Sequence, residues 1–228
     1  MKSRGEKHYI KMPRLAARLY DKLTSVKGMN KSFEECADFL EGVINKGKLL
    51  DVGMGTGRLL KRIHKIIPQI DLYGLDISSA MLDLSTYHLR NLRNVFLRIG
   101  TIEKTEYQSN FFDCIVSTGS FYNWDNPIAG LNEIHRILKQ GKTAFIYESI
   151  RDHDRELLQS RLNDNLQGYN ILRRMMSKYF LMKQLRMTYS TSEFNEILQQ
   201  CAFKDSYKIE RIELGNLPIY IRLELQKH

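Results

Sequence analysis

Two groups of residues in this chain of 228 are spaced to do chemistry together. The run Leu49-Leu50-Asp51-Val52 ends abruptly at Gly53-Met54-Gly55-Thr56-Gly57, with three glycines at alternate positions, and a helix-like pattern follows. That order describes a strand opening into a ligand-binding turn. Glycine adopts backbone angles other residues avoid and carries no side chain, so an adenosine-bearing cofactor can approach the main chain. Asp76 lies 19 residues beyond Gly57, at the end of the short apolar run Leu72-Tyr73-Gly74-Leu75. A carboxylate in that place can accept hydrogen bonds from both hydroxyls of a ribose. Glycines at a strand end can simply make a turn, and an acid after an apolar run can simply cap a helix. It is the pair, at this spacing and in a strand, helix, strand context, that carries the argument.

The elements that position these residues are read from periodicity. Apolar runs alternate with helical patterns from residue 48 to 149, which predicts a largely parallel sheet with helices on both faces. Strands are expected near 48–53, 70–76, 95–99, 112–118 and 142–149, with helices starting near Thr56, Ser78 and Pro127. Ser78 is a suitable cap and Pro127 a suitable first-turn residue. Over residues 151–189, Leu158, Leu162, Leu166, Leu172, Met175, Met176, Tyr179 and Phe180 recur at helical spacing about Gly168, which reads as a helical insertion. Ser190-Thr191-Ser192-Glu193 begins a capped helix, and the stretches 204–213 and 217–226 alternate as a closing hairpin.

Composition sets the outer limits. One domain with a decorated core suits the length. No window approaches the roughly 18 apolar residues that would span a bilayer, and the basic start Met1-Lys2-Ser3-Arg4 lacks the apolar stretch of a secretory signal, so a soluble cytoplasmic protein is expected. Cys36, Cys114 and Cys201 are widely separated and suggest neither a disulfide framework nor a zinc site. The net charge of +9 is localised: residues 1–48 hold 11 basic and 6 acidic side chains, residues 151–189 hold 8 and 4, and the rest balances. These segments are either solvated faces or an attraction for an anionic partner, whether an acidic small substrate, an anionic lipid surface or nucleic acid.

Four motifs in order carry a family resemblance: the glycine turn at 53–57; Asp76-Ile77-Ser78-Ser79-Ala80-Met81-Leu82; Phe111-Phe112-Asp113-Cys114-Ile115-Val116-Ser117; and Leu131-Asn132-Glu133-Ile134-His135-Arg136-Ile137-Leu138-Lys139. Together with Leu19-Tyr20-Asp21 upstream, the chain resembles the class I S-adenosylmethionine-dependent methyltransferases, in particular the small-molecule, quinone-methyltransferase-like group. The resemblance covers about residues 14–226. It implies a Rossmann-like, seven-stranded, mostly parallel sheet with helices on both faces, its antiparallel last strand inserted between the fifth and sixth. It also implies a single methyltransferase domain over 1–228: an N-terminal helical lid (1–46), a cofactor-binding half (47–150), a helical insertion over the substrate pocket (151–189), and a closing helix and hairpin (190–228).

The resemblance further implies that S-adenosyl-L-methionine is held by Tyr20, Gly53, Met54, Gly55, Gly57, Asp76, Ile77, Met81, Thr101, Ile102 and Ser117, with no metal. Thr101 stands where many members have an acid that meets the adenine amino group, and Gln140-Gly141-Lys142 replaces their Pro-Gly-Gly turn. Tyr122 and Trp124 are expected in the wall facing the transferred methyl. Tyr122, Glu148 and His153 are the candidate catalytic residues, with Tyr147 beside them; a base is needed only where the attacking atom must lose a proton.

Three other readings stay open at this point. A nicotinamide-dependent oxidoreductase also begins with a glycine turn and an acid, though usually as Gly-x-Gly-x-x-Gly, and Tyr179 with Lys183 forms a Tyr-x-x-x-Lys pair. An RNA or other macromolecule methyltransferase would explain the basic excess, but Ser117-Thr118-Gly119-Ser120 stands where base-amine methylating members carry an Asp-Pro-Pro-Tyr-like motif. The last is a non-catalytic cofactor-binding protein.

Overall fold

The computed structural model describes residues 17–19, 21, 22 and 26–228. Seven strands form one sheet: β1 (Lys48–Val52), β2 (Asp71–Asp76), β3 (Val95–Ile99), β4 (Phe112–Thr118), β5 (Leu138–Ser149), β6 (Tyr207–Leu214) and β7 (Leu217–Gln226), in the order β3-β2-β1-β4-β5-β7-β6. The first five are mutually parallel, and β7 runs antiparallel to both β5 and β6. The last strand therefore lies between the fifth and sixth, as the resemblance implied.

Helices α1 (Lys27–Glu41), α2 (Arg58–Ile66), α3 (Ser79–Leu89), α4 (Pro127–Ile137), α5 (Arg155–Asn165), α6 (Ile171–Met187) and α7 (Thr191–Leu198) accompany the sheet. Their starts follow the local chemistry. Ser78 Oγ accepts from Met81 N–H at the head of α3, and Asn126 Oδ1 accepts from Ala129 N–H beside Pro127 at the head of α4. Ser190 and Glu193 form a reciprocal capping box on α7. The helix expected from Thr56 begins two positions later, at Arg58, because Gly57 takes a left-handed φ of +78° as its cap.

Strand parity sorts the core into two layers. Leu49, Phe145 and Tyr147 pack with Leu40 of α1 and with Leu59 and Ile63 of α2. Leu50, Ala144 and Ile146 pack on the opposite side with Leu131 and Ile134 of α4 and Phe194 of α7. Leu131, Ile134 and Ile137 are fully buried, each contributing about 1.5–3 kcal/mol. β5 starts four residues earlier than the periodicity predicted. Its pairing with β4 jumps from Phe112↔Leu138 to Cys114↔Thr143, and the extra residues bulge about Gly141 (φ +71°). Lys139 within this bulge is tied to Asp113 at 2.8 Å. Among the described residues no helix is long and apolar enough to cross a membrane.

Candidate functional site

The sheet order reverses between β1 and β4, and a parallel sheet opens a crevice at that reversal, outside the carboxyl ends of its strands. A cleft of about 210 Å³ lies there. Its floor is the glycine turn. Gly53 N–H and Met54 N–H both donate to Leu75 O, at 2.7 and 3.2 Å, pinning the turn to β2. The three glycines have separate roles although all take positive φ. A Cβ on Gly53 would lie 2.3 Å from Ser120 Cβ, and one on Gly57 would lie 2.7 Å from Leu89 Cδ1 in α3, so both are needed for packing. A Cβ on Gly55 would meet no atom of the described residues within 4 Å. The main chain is bare there, and it faces the cleft.

Beside that bare backbone stands Asp76. Its Oδ2 accepts from Gly55 N–H and its Oδ1 from Ser78 N–H, both at 2.9 Å. Each oxygen keeps a second lone pair, enough for two further donors. Burial raises its pKa, and the backbone N–H groups of Ser78, Gly55 and Ile77 oppose that rise. Behind it, Asp51 is sealed within the sheet with no hydrogen-bond partner on either oxygen. Burial, then repulsion from Asp76, pushes its pKa up to about 8. Ile77, Met81 and Ile102 add apolar side chains along the same side of the cleft, with Gly100.

The rest of the lining is built by segments remote in sequence. Tyr122 and Trp124 follow β4, Met29, Phe33 and Cys36 come from α1, and Tyr147, Gln184 and Tyr220 come from β5, α6 and β7. Ser120 braces this wall. Its hydroxyl donates to Val52 O at 3.0 Å, so it accepts from both Ser117 Oγ at 2.7 Å and Trp124 Nε1 at 3.3 Å. The Tyr147 hydroxyl is buried, which drives its pKa up. Arg58 is the one basic side chain lining the cleft among the described residues, and it pairs at 2.6 Å with Asp21. Asp21 also accepts from Thr56 Oγ1 at 2.8 Å, so the segment before α1 is fastened to the glycine turn.

Of the site residues named from sequence, Gly53, Met54, Gly55, Asp76, Ile77, Met81, Ile102 and Tyr122 line the cleft. Gly57 faces α3 instead. Thr101 is exposed and bridges to Lys104, a turn that presents Gly100, Ile102 and Glu103 in its place. Ser117 is fully buried behind Ser120, and Tyr20 lies outside the described residues.

Of the proposed bases Tyr147 lines the cleft, whereas Glu148 and His153 do not. Glu148 is fully buried and shares strand parity with Ile146, so it points to the face opposite Tyr147. There its carboxylate accepts from Ser149 N–H at 2.9 Å and Tyr122 N–H at 3.4 Å, with burial pushing its pKa up to about 7. His153 lies beyond β5, its ring Nδ1 2.8 Å from Ile150 O. Tyr179 and Lys183 are exposed on α6 and form no part of the lining. Cys36, Gln184 and Tyr220 were missed; nothing in their local sequence marks them, since only the tertiary fold brings them together.

Comparison with known proteins gives this geometry its relatives. A family model described as a methyltransferase domain matches residues 50–146. An uncharacterized methyltransferase of Bacillus subtilis is 30% identical over 113 residues, covering 50% of this chain and 62% of that protein. A ubiquinone/menaquinone biosynthesis C-methyltransferase of Coxiella burnetii is 33% identical over 105 residues, covering 44% and 42%. The chain thus spans about two fifths to three fifths of the length of these curated relatives.

Among solved structures, an S-adenosylmethionine-dependent methyltransferase of Aquifex aeolicus superposes with a TM-score of 0.65 at 18% identity, over 92% of this chain and 97% of that one. A plantazolicin methyltransferase in complex with S-adenosylhomocysteine gives 0.71 at 17%, over 96% and 93%. Residues 50–146 match a methyltransferase domain, and the chain that carries them shares the fold of these solved S-adenosylmethionine-dependent methyltransferases.

Proposed function

We propose that this protein transfers the methyl group of S-adenosyl-L-methionine to a small molecule bound at the far end of the cleft. One observation carries the reading: the main chain at Gly55 is open to the cleft directly beside a carboxylate, Asp76, that keeps acceptor capacity on both oxygens. That pairing suits an adenosyl group, with Asp76 on the ribose, Ile77, Met81 and Ile102 around the adenine, and Gly53 to Gly55 along the methionine portion.

When bound, the cofactor supplies an electrophilic methyl on a positively charged sulfur that departs neutral. The chain's own task is therefore positioning, which can contribute up to about 7–11 kcal/mol in favourable intramolecular models. Tyr122 and Trp124, braced through Ser120, would hold the acceptor in line. The lid read over residues 1–46, with the insertion 151–189, would exclude water; Asp21 on Arg58, and Arg173 of α6 donating to Lys22 O at 3.1 Å, support that division. No carboxylate or imidazole named as a base borders the cleft, which supports an acceptor that needs no strong base. The single lining cation among the described residues, Arg58, is already engaged by Asp21, which supports an acceptor uncharged at its buried end.

Thermal shift and calorimetry test the first half. The sulfonium cofactor should raise the melting temperature and a nicotinamide dinucleotide should not, since only a ligand of the native state stabilises it. Asp76→Ala should abolish the shift while the protein stays folded. A shift unchanged in that variant would remove the basis of the site. The second half is tested by incubating a metabolite extract with protein and methyl-labelled cofactor and finding a product heavier by one labelled methyl.

A further inference from the structure

α6 is turned the wrong way round for a helix of a water-soluble surface. Ile171, Met175, Tyr179 and Met182 recur at spacings of four, four and three, with Leu172 alongside, so they form one stripe. That stripe faces outwards: the five side chains are 77%, 63%, 61%, 43% and 68% exposed. Only Leu185 of the whole helix is buried. The helix is anchored by Leu185 and Leu181 against the core and by polar ties, Lys178 to Asn163 Oδ1 at 2.9 Å and Gln184 to Ser149 Oγ at 3.4 Å. It also carries Arg173, Arg174, Lys178, Lys183 and Arg186 and no acidic residue.

From this we infer that α6 docks the protein onto an anionic lipid surface, its apolar stripe entering the acyl boundary and its cations meeting the headgroups. An interfacial helix pairs an apolar face with lysine and arginine; here Lys178 and Lys183 flank the stripe and Arg186 ends it. The competing occupants are each opposed by charge or by chemistry. A second copy would set the exposed Arg174, Lys183 and Arg186 against their like. The segment before residue 17 carries Lys2, Arg4, Lys7, Lys11 and Arg14 against a single acid, Glu6, and would be repelled likewise. A nucleic acid satisfies the cations and leaves the stripe in water. A lipid surface satisfies both, and it needs no contribution from the methyl-transfer reading. The same helix sends Gln184 into the cleft, so docking would bring the cleft close to the bilayer.

The test is flotation of the full chain with vesicles of phosphatidylcholine alone and of phosphatidylcholine mixed equally with phosphatidylglycerol. Binding should appear with the mixed vesicles, weaken about fivefold for each cation removed in Lys183→Gln and Arg186→Gln, and fall at least about tenfold in Met175→Gln/Tyr179→Gln. The exposed sites predict unchanged melting temperatures for all of these variants. Equal binding to both vesicle types, or binding indifferent to both sets of variants, would overturn the inference. So would a concentration-dependent dimer, or an RNA complex, that these substitutions dissolve while vesicles stay unbound.

Discussion

Gly55 and Gly57 have φ values of +53° and +78°, yet an alanine at each should have opposite consequences. In both variants a side chain is forced into the left-handed region, costing roughly 1–2 kcal/mol. For a chain of this size that lowers the melting temperature by about 2–8 °C. At Gly57 the new methyl also meets Leu89 Cδ1 at 2.7 Å in a packed interface, adding about 1–3 kcal/mol of overpacking. At Gly55 it meets no atom of the described residues. It projects instead into the space assigned to the cofactor, and the same steric magnitude falls on the ligand, weakening it about 5- to 150-fold. Gly55→Ala should therefore be the more stable variant and the weaker binder, and Gly57→Ala the less stable variant with near-native affinity. Differential scanning calorimetry and isothermal titration with S-adenosylhomocysteine measure the two axes separately. Wild-type affinity in Gly55→Ala, or a larger affinity loss in a folded Gly57→Ala, would show that the bare backbone at 55 is not where the ligand lies.

Two further outcomes follow from the buried acids. Asp51 has its native pKa raised to about 8 from an ordinary 3.8, so the native state holds the proton more tightly and this group costs stability increasingly as pH rises between those values. The advantage of Asp51→Asn over wild type should grow from pH 5 to pH 8 by about 1–4 kcal/mol in urea unfolding; any fixed cost of the new amide cancels in that difference, and a gap that narrows with pH would contradict the burial of a lone carboxyl. Glu148, sealed against Tyr122 N–H, should not exchange protons with an acceptor, so Glu148→Gln should keep kcat within about threefold of wild type. A loss of 10²–10⁴-fold, the usual range for a removed general base, would reinstate it as one.

The sheet was readable from residue patterns because each strand of the cofactor-binding half is a short apolar run between punctuating residues, and each cap, Ser78, Asn126 and Ser190, sits next to the helix it starts. The side of the cleft built by the glycine turn and Asp76 was readable for a similar reason: its residues lie on two adjacent turns of one local motif. What the three glycines do individually was not readable, since Leu89 and Ser120 decide it from a distance. Glu148 was misjudged because chemistry alone nominated it, whereas strand parity with Ile146 turns it away from the cleft. Thr101 was misjudged by one position in a tight turn. The remaining lining combines α1, α6, β5 and β7, and no spacing rule joins Cys36 to Tyr220.

Placing β7 inside the sheet has a consequence for how the chain is made. β6 emerges first but has no place on β5; it can only be seated once the later strand has been synthesised and has folded back on it. Until then the flank of β5, with Ala144 to Ile146 among the most apolar stretches of the molecule, is an open template for any extended neighbour. The β6–β7 hairpin must arrive as a finished unit, so a chain cut before Leu217 should be the aggregation-prone species, and the arrival of β7 is the event that closes the template.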